Sequence, residues 1–248
     1  MRIFLSVALL FASSAAAAQD LATACHASSS YDLTVRSRGI LFDRPQPAPR
    51  QVGLDDGSVV VDGRTVALRP DAQDQAALFE RELRALLPRF RAAADAGVDI
   101  AARAVRDEVA RSAPAALQDG EFDRKLSGHV AELHARIARS NSTHDWQGDA
   151  FDSYANGMVT DLAPLVAASL TADAVDLAMN GDLAGAADLR DRASSLSTGL
   201  EARVQARVNR ELRPKVQALC PDIRRLAELS EGLADDHGRP LNLLQIAP

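Results

Sequence analysis

The sequence predicts an α+β fold, predominantly α, in which a small N-terminal antiparallel β-meander packs against a bundle of long amphipathic helices. Three observations predict it. Two Asp-Gly pairs, Asp56-Gly57 and Asp62-Gly63, stand between β-forming runs, the strongest short-range hairpin signal. Downstream, apolar residues recur at helical spacing in four long stretches. Aromatic residues make up only 4% against 47% hydrophobic, so the core must come from interlocking Leu, Val and Ala.

Tyr31–Val35 alternates apolar and polar residues as a half-buried strand does, and Gly39–Phe42 gives a second short extended piece. The Pro-rich loop Pro45–Pro49 follows. If both Asp-Gly pairs are two-residue turns, Leu54 pairs with Val59, Val59 with Val66, and Val52 with Val61. Every large apolar residue of those strands except Val60 then shares one face, and that face needs a helical cover.

The first helix is expected from Asp71 as N-cap, with Phe79, Leu83, Leu86, Phe90, Val105 and Val109 on its buried face. Pro88 and Gly97 predict a kink or break within it, and Pro114 its end. Phe122, Leu126, Val130, Leu133 and Ile137 mark a helix over about Glu121 to Arg139, and a third stripe runs from Phe151 to Leu170. The last stripe, Leu196 to Leu219, starts soon after Gly181, and Pro214 and Pro221 predict a kink and a restart into a short helix over Ile223–Leu233. The apolar end Leu241–Ile246 is expected to dock on the body. The organisation is therefore a signal peptide at 1–18, a meander at 19–70, a bundle at 71–235 and a tail at 236–248, with 19–248 one structural unit.

The signal peptide is read from Arg2, the apolar run Ile3–Ala12 and the small residues Ala16-Ala17-Ala18. That run of about ten residues falls short of the roughly 20 needed to cross a bilayer, and no later segment is expected to be long enough. Lipidation at Cys25 is the minor alternative. An even count of two cysteines in an exported chain predicts a structural Cys25–Cys220 disulfide. The net charge of −6, with 25% charged residues, gives no attraction to nucleic acid.

Cys25 near the mature start, Tyr31-Asp32-Leu33-Thr34-Val35, the block "LDDGSVVVDGRTVAL" (54–68), "FERELRALLP" (79–88) and the late "ALCPDIRRLAEL" (218–229) together resemble the YggN-like bacterial periplasmic proteins, a family of unknown function. The resemblance spans nearly the whole mature chain; the strand block and Phe79–Pro88 are its specific parts. It implies a periplasmic address and paired cysteines, and brings no catalytic residues.

Sequence signatures of common chemistry are missing: no GxSxG, no GxxxxGK[ST] and no GxGxxG. Of the five histidines, His129 and His134 stand five apart, roughly 140° around a helix, so they diverge; His129 is expected to border the Leu126/Leu133 face and His134 to be solvated. No metal or other cofactor is expected. The segment with the most functional character is His144, Asp145, Trp146, Asp149, Asp152 and Tyr154, which gathers the single Trp, a Tyr and three carboxylates. Asp149 and Asp152, three apart, would serve as an acid/base pair or a cation site on one helix face. Structurally the same residues suit a helix start, with Trp146 stapling on Phe151 and Ser142 with Asp145 as a capping box.

The expectation is an uncharacterised exported periplasmic protein with a non-enzymatic interaction or envelope accessory role, with an envelope protein or lipid as partner, no nucleic acid, no transmembrane segment and the oligomeric state open. The reading leans away from an enzyme. The alternatives are an envelope hydrolase or cation-dependent enzyme on Asp145, Asp149 and Asp152, and a self-associating helical protein whose Leu196–Leu219 stripe stays partly exposed in the monomer.

Overall fold

The structure, a computed structural model, describes residues 24–147 and 149–246; the side chains of residues 149–152 and of Ser197 also lie outside the description. The predicted signal peptide falls outside the described residues. The fold is α+β and mostly α. Its strands are β1 (Ala27–Ser28), β2 (Asp32–Val35), β3 (Ile40–Asp43), β4 (Gln51–Asp55), β5 (Ser58–Val61), β6 (Arg64–Thr65) and β7 (Gln245–Ile246). Its helices are α1 (Pro70–Ser112), α2 (Glu121–Arg139), α3 (Asp149–Met179), α4 (Leu183–Gln217) and α5 (Cys220–Glu231), with single 3₁₀ turns at Pro114–Leu117 and Thr143–Trp146.

The chain gathers into two compact units. Of the described residues, one holds 24–94, 139–147 and 213–246; the other holds Asp95–Ala138 and Asp149–Leu212.

In the first unit β2 to β6 form an antiparallel meander in sequence order. The predicted register is found: Val52 lies opposite Val61 and Leu54 opposite Val59, and the Val66 N–H donates to the Val59 carbonyl at 2.9 Å. It follows from the turns. Asp56 and Asp62 both adopt positive φ (47° and 46°), and so do Gly57 and Gly63 (83° and 80°), the mirror-image conformation that matches strand twist. Gly57 is required twice over, since a Cβ there would stand 2.8 Å from the Gln73 carbonyl oxygen of α1.

Val52, Leu54, Val59 and Val66 are buried against Phe79, Leu83 and Leu86 of α1, the helical cover the one-sided sheet needs. A polar bridge fixes that packing. Glu80, buried on α1, accepts from the Asp56 N–H (2.9 Å) and the Arg84 Nε (2.9 Å), and Arg84 donates onward to the carbonyls of Arg36 (2.9 Å) and Gly39 (2.7 Å). One buried carboxylate thus ties two turns of the sheet to the helix, with its charge compensated by the arginine.

Helix α1 begins one residue before the expected cap. Pro70 takes the first helical position, where its missing N–H costs nothing, and the Gln73 N–H bonds the Arg69 carbonyl. The helix also runs unbroken through Pro88 and Gly97. Pro88 is exposed, and Leu83 and Leu86 just before it are buried, so packing carries the helix across the one hydrogen bond proline removes. Pro214 is likewise inside α4, and the restart falls at α5, where Pro221 sits in the first turn.

Cys25 and Cys220 are both buried and joined by a disulfide, with Cα atoms 5.1 Å apart. A sulfur so bonded cannot carry a thioether lipid, which removes the lipidation alternative for this form of the chain. The C-terminal tail docks as expected: Leu241 and Leu243 are 1% and 0% exposed, and β7 pairs antiparallel with β1.

The second unit is helical. Its core joins Ala104, Val105 and Val109 of α1, Phe122 and Leu126 of α2, and Leu196, Leu200 and Val204 of α4. The stripe expected to stay partly exposed is therefore buried in the monomer, and the motive it supplied for self-association is gone; beyond the second unit, Val216 and Leu219 are buried within the first. Glu108, 5% exposed, is compensated by Arg111 and by the Arg203 Nε at 2.8 Å.

Candidate functional site

The segment singled out in the sequence begins in the first unit. Ser142 caps the 3₁₀ turn Thr143–Trp146: its Oγ accepts from the His144 N–H at 3.2 Å, and the Asp145 side chain reaches back to the Ser142 N–H at 3.2 Å, the expected capping box. The same carboxylate accepts from the Asn141 N–H (3.2 Å) and the Ser140 Oγ (3.0 Å). Trp146 Nε1 donates to the Ser140 Oγ at 2.9 Å.

This turn lies along β2, an edge strand of the meander. The Val35 N–H donates to the Asn141 carbonyl (2.8 Å), the Leu33 N–H to the Thr143 Oγ1 (2.9 Å), and the Thr34 and Ser142 hydroxyls bond each other at 2.8 Å. Asp32 accepts from Thr143 Oγ1 (2.9 Å) and Gln147 Nε2 (2.8 Å), and His144 Nε2 stands 3.0 Å from Asp43. Polar residues that read as chemistry here occupy the free edge of a sheet, which otherwise offers a template for wrong pairing.

Tyr154, in α3 of the second unit, donates to the His129 carbonyl at 2.9 Å. Burial first, and then the Glu132 carboxylate, push its phenol up to about 12 against the opposing pull of Arg136. Asp149 and Asp152 fall in the first turn of α3, and their side chains lie outside the described residues.

Sequence reasoning missed the histidine pairs of the second unit. His134, expected in solvent, is partly buried between α1 carboxylates: its Nδ1 stands 2.7 Å from Asp95 and its Nε2 3.0 Å from Asp99. The hydrogen bond to Asp95, more than the opposing burial, raises its pKa above 6.5. Asp95 and Asp99 stand four apart on one helix face, which was the readable half of the signal; that His134 meets them from another helix was not readable. His129, bordering the Leu126/Leu133 face as expected, bonds Asp161 of α3 at 3.0 Å.

Among the described residues no three His, Cys, Asp or Glu side chains are arranged to hold a metal ion. A shallow depression on α4 is lined by Asp188, Asp191, Arg192 and Ser195. The feature with the least internal explanation is α3. Contrary to the expectation that no later segment is long enough, Ser153–Met179 is, by length and composition alone, long and apolar enough to cross a membrane: it contains an 18-residue stretch with a mean hydropathy of 1.5, none of it fully buried. Its Leu162, Leu165, Val166 and Leu170 pack partly buried against the helical core, as in a globular helix.

These features define a disulfide-bonded, mostly helical α+β protein. Over residues 25–241, most of its length, the chain matches the family described as "Protein of unknown function (DUF2884)", and it belongs to that family. No curated protein and no solved structure matches it.

Proposed function

We propose that the protein is an exported, periplasmic envelope protein of the YggN-like type that acts by binding a partner and not by catalysis. The observation that carries the binding role is the exposure of the end of α3 and the start of α4: Val175, Met179 and Leu183 are the large hydrophobic side chains left exposed among the described residues. Export is supported by the signal-peptide pattern at residues 1–18 and by the buried disulfide, the chemistry of an oxidising compartment. The resemblance in the strand block and in Phe79–Pro88 supports the family type.

Fractionation combined with thiol labelling tests both halves. The protein is expected in the periplasmic fraction with both cysteines unreactive until reduced, and to co-purify with an envelope component under mild conditions. A cytoplasmic protein with two reactive thiols would overturn the export reading, and a companion-free protein that turns over an envelope substrate would overturn the binding one.

A further inference from the structure

Val175, Met179 and Leu183 are 51%, 81% and 73% exposed, and all three sit at one place, where α3 turns into α4. The turn is firmly built. Gly181 adopts the left-handed conformation (φ 77°), the Asp182 N–H reaches the Leu177 carbonyl at 2.9 Å, and the Gly181 N–H reaches that of Ala178 at 3.1 Å. These are the two bonds of a Schellman cap. The Asp182 carboxylate then accepts from the Gly185 N–H at 2.8 Å and caps α4. Val175 and Met179, one helical turn apart, and Leu183, just across the bend, are thus presented on capped helix ends.

Electrostatics select what covers them. Helix α3 carries no Lys or Arg, while Asp176, about 60° from Met179 around the helix, borders the apolar group and Asp182 stands in the turn; the nearest basic residues along α4 are Arg190 and Arg192, interleaved with Asp188 and Asp191. Asp161, further back on α3, is paired with His129. A second copy docking through this face would oppose acidic side chains with acidic ones, and an anionic lipid surface would be repelled in the same way. A segment with apolar side chains flanked by Lys or Arg satisfies both the apolar group and its acidic rim.

We propose that the α3–α4 turn is the docking surface for a basic amphipathic segment of a partner protein, with Met179 and Leu183 as apolar anchors and Asp176 and Asp182 on the acidic rim. This deepens the binding role proposed above and rests on it.

The test titrates the full-length, disulfide-bonded protein with four probes: a synthetic amphipathic helix of leucine and lysine, its leucine–glutamate counterpart, and vesicles of zwitterionic or anionic lipid. The leucine–lysine peptide is expected to bind, more weakly at high salt. Its affinity should fall at least about tenfold in the Met179→Ser/Leu183→Ser variant, and by a smaller factor in Asp176→Asn, both checked for native helix content by circular dichroism. The leucine–glutamate peptide and the vesicles should not bind. Failure of the leucine–lysine peptide to bind, equal binding to the serine variant, preference for vesicles, or self-association through this face would overturn the assignment. If the serine variant still co-purifies with an envelope companion, only this surface is wrong; if neither protein does, the binding function itself falls.

Discussion

Replacing Cys25 and Cys220 together by Ala removes a crosslink between residues 195 apart in sequence. In the chain-entropy model a loop of that length restricts the unfolded ensemble by about 5 kcal/mol at 25 °C. Residual structure in the unfolded chain lowers the figure, and native bridges commonly contribute about 2–5 kcal/mol. The native state should persist without the bond, because Leu219, Ile223, Leu226, Leu241 and Leu243 still pack in the same core as Phe79. Denaturant unfolding of the double variant and the parent, at matched pH and without reductant, is therefore expected to show a midpoint shift equivalent to about 2–5 kcal/mol at similar slope. The same shift should appear when the parent is reduced, and the reduced double variant should not move. A loss under about 1 kcal/mol would refute the reasoning, since it would mean the bridge hardly constrains the unfolded chain.

Three further outcomes follow from the packing and the charges. Leu243→Ala, at a fully buried tail position, should cost about 2–5 kcal/mol and expose the β1–β7 pairing to hydrogen exchange; a surface-like loss under about 0.5 kcal/mol would mean that the tail is not docked. His134 has a folded pKa raised above 6.5, so its contribution is full below 6.5 and is lost as pH rises through the folded value; the stability gap between parent and His134→Asn should narrow on that alkaline side, and an NMR titration giving His134 an ordinary pKa would contradict the Asp95/Asp99 pairing. Asp235 accepts from the Arg239 and His237 N–H groups and from the Arg239 side chain, bonds that hold its pKa down to about 2. Its contribution is full above 3.8 and is lost as pH falls through about 2, so Asp235→Asn should be less stable than the parent at neutral pH, with the difference closing in strong acid; a difference that is flat with pH would show that the carboxylate's charge plays no part.

What the sequence disclosed was local chemistry. The meander register was legible because Asp-Gly leaves so few turn geometries, and the α2 bounds at Glu121 and Arg139 because five apolar residues keep one period. The Ser142/Asp145 capping box was legible because both partners lie within one turn. What stayed hidden depends on residues far apart in the chain. Pro88 reads as a break only until Leu83 and Leu86 are seen packed beneath the sheet. His134 reads as solvated only until α1 brings up Asp95 and Asp99, and Leu196–Val204 reads as a free stripe only until α1 and α2 cover it. The length of α3 was missed because alanines, threonines and scattered aspartates dilute its apolar run. As for the site, the contacts that set the segment Ser142–Gln147 along the sheet edge, to Asp32, Leu33, Thr34 and Asp43, required the fold.

A protein that works through a partner held at the α3–α4 turn should be caught with that partner in place. Site-specific photo-crosslinking in the intact native envelope tests this most directly, with the photoreactive residue placed at position 179 and, as control, at the exposed Arg103 of α1 in the same unit. One discrete protein adduct is expected from position 179, carrying a basic amphipathic segment at the crosslinked site, and none from position 103. No adduct from position 179, or equal and diffuse labelling from both positions, would contradict the docking role.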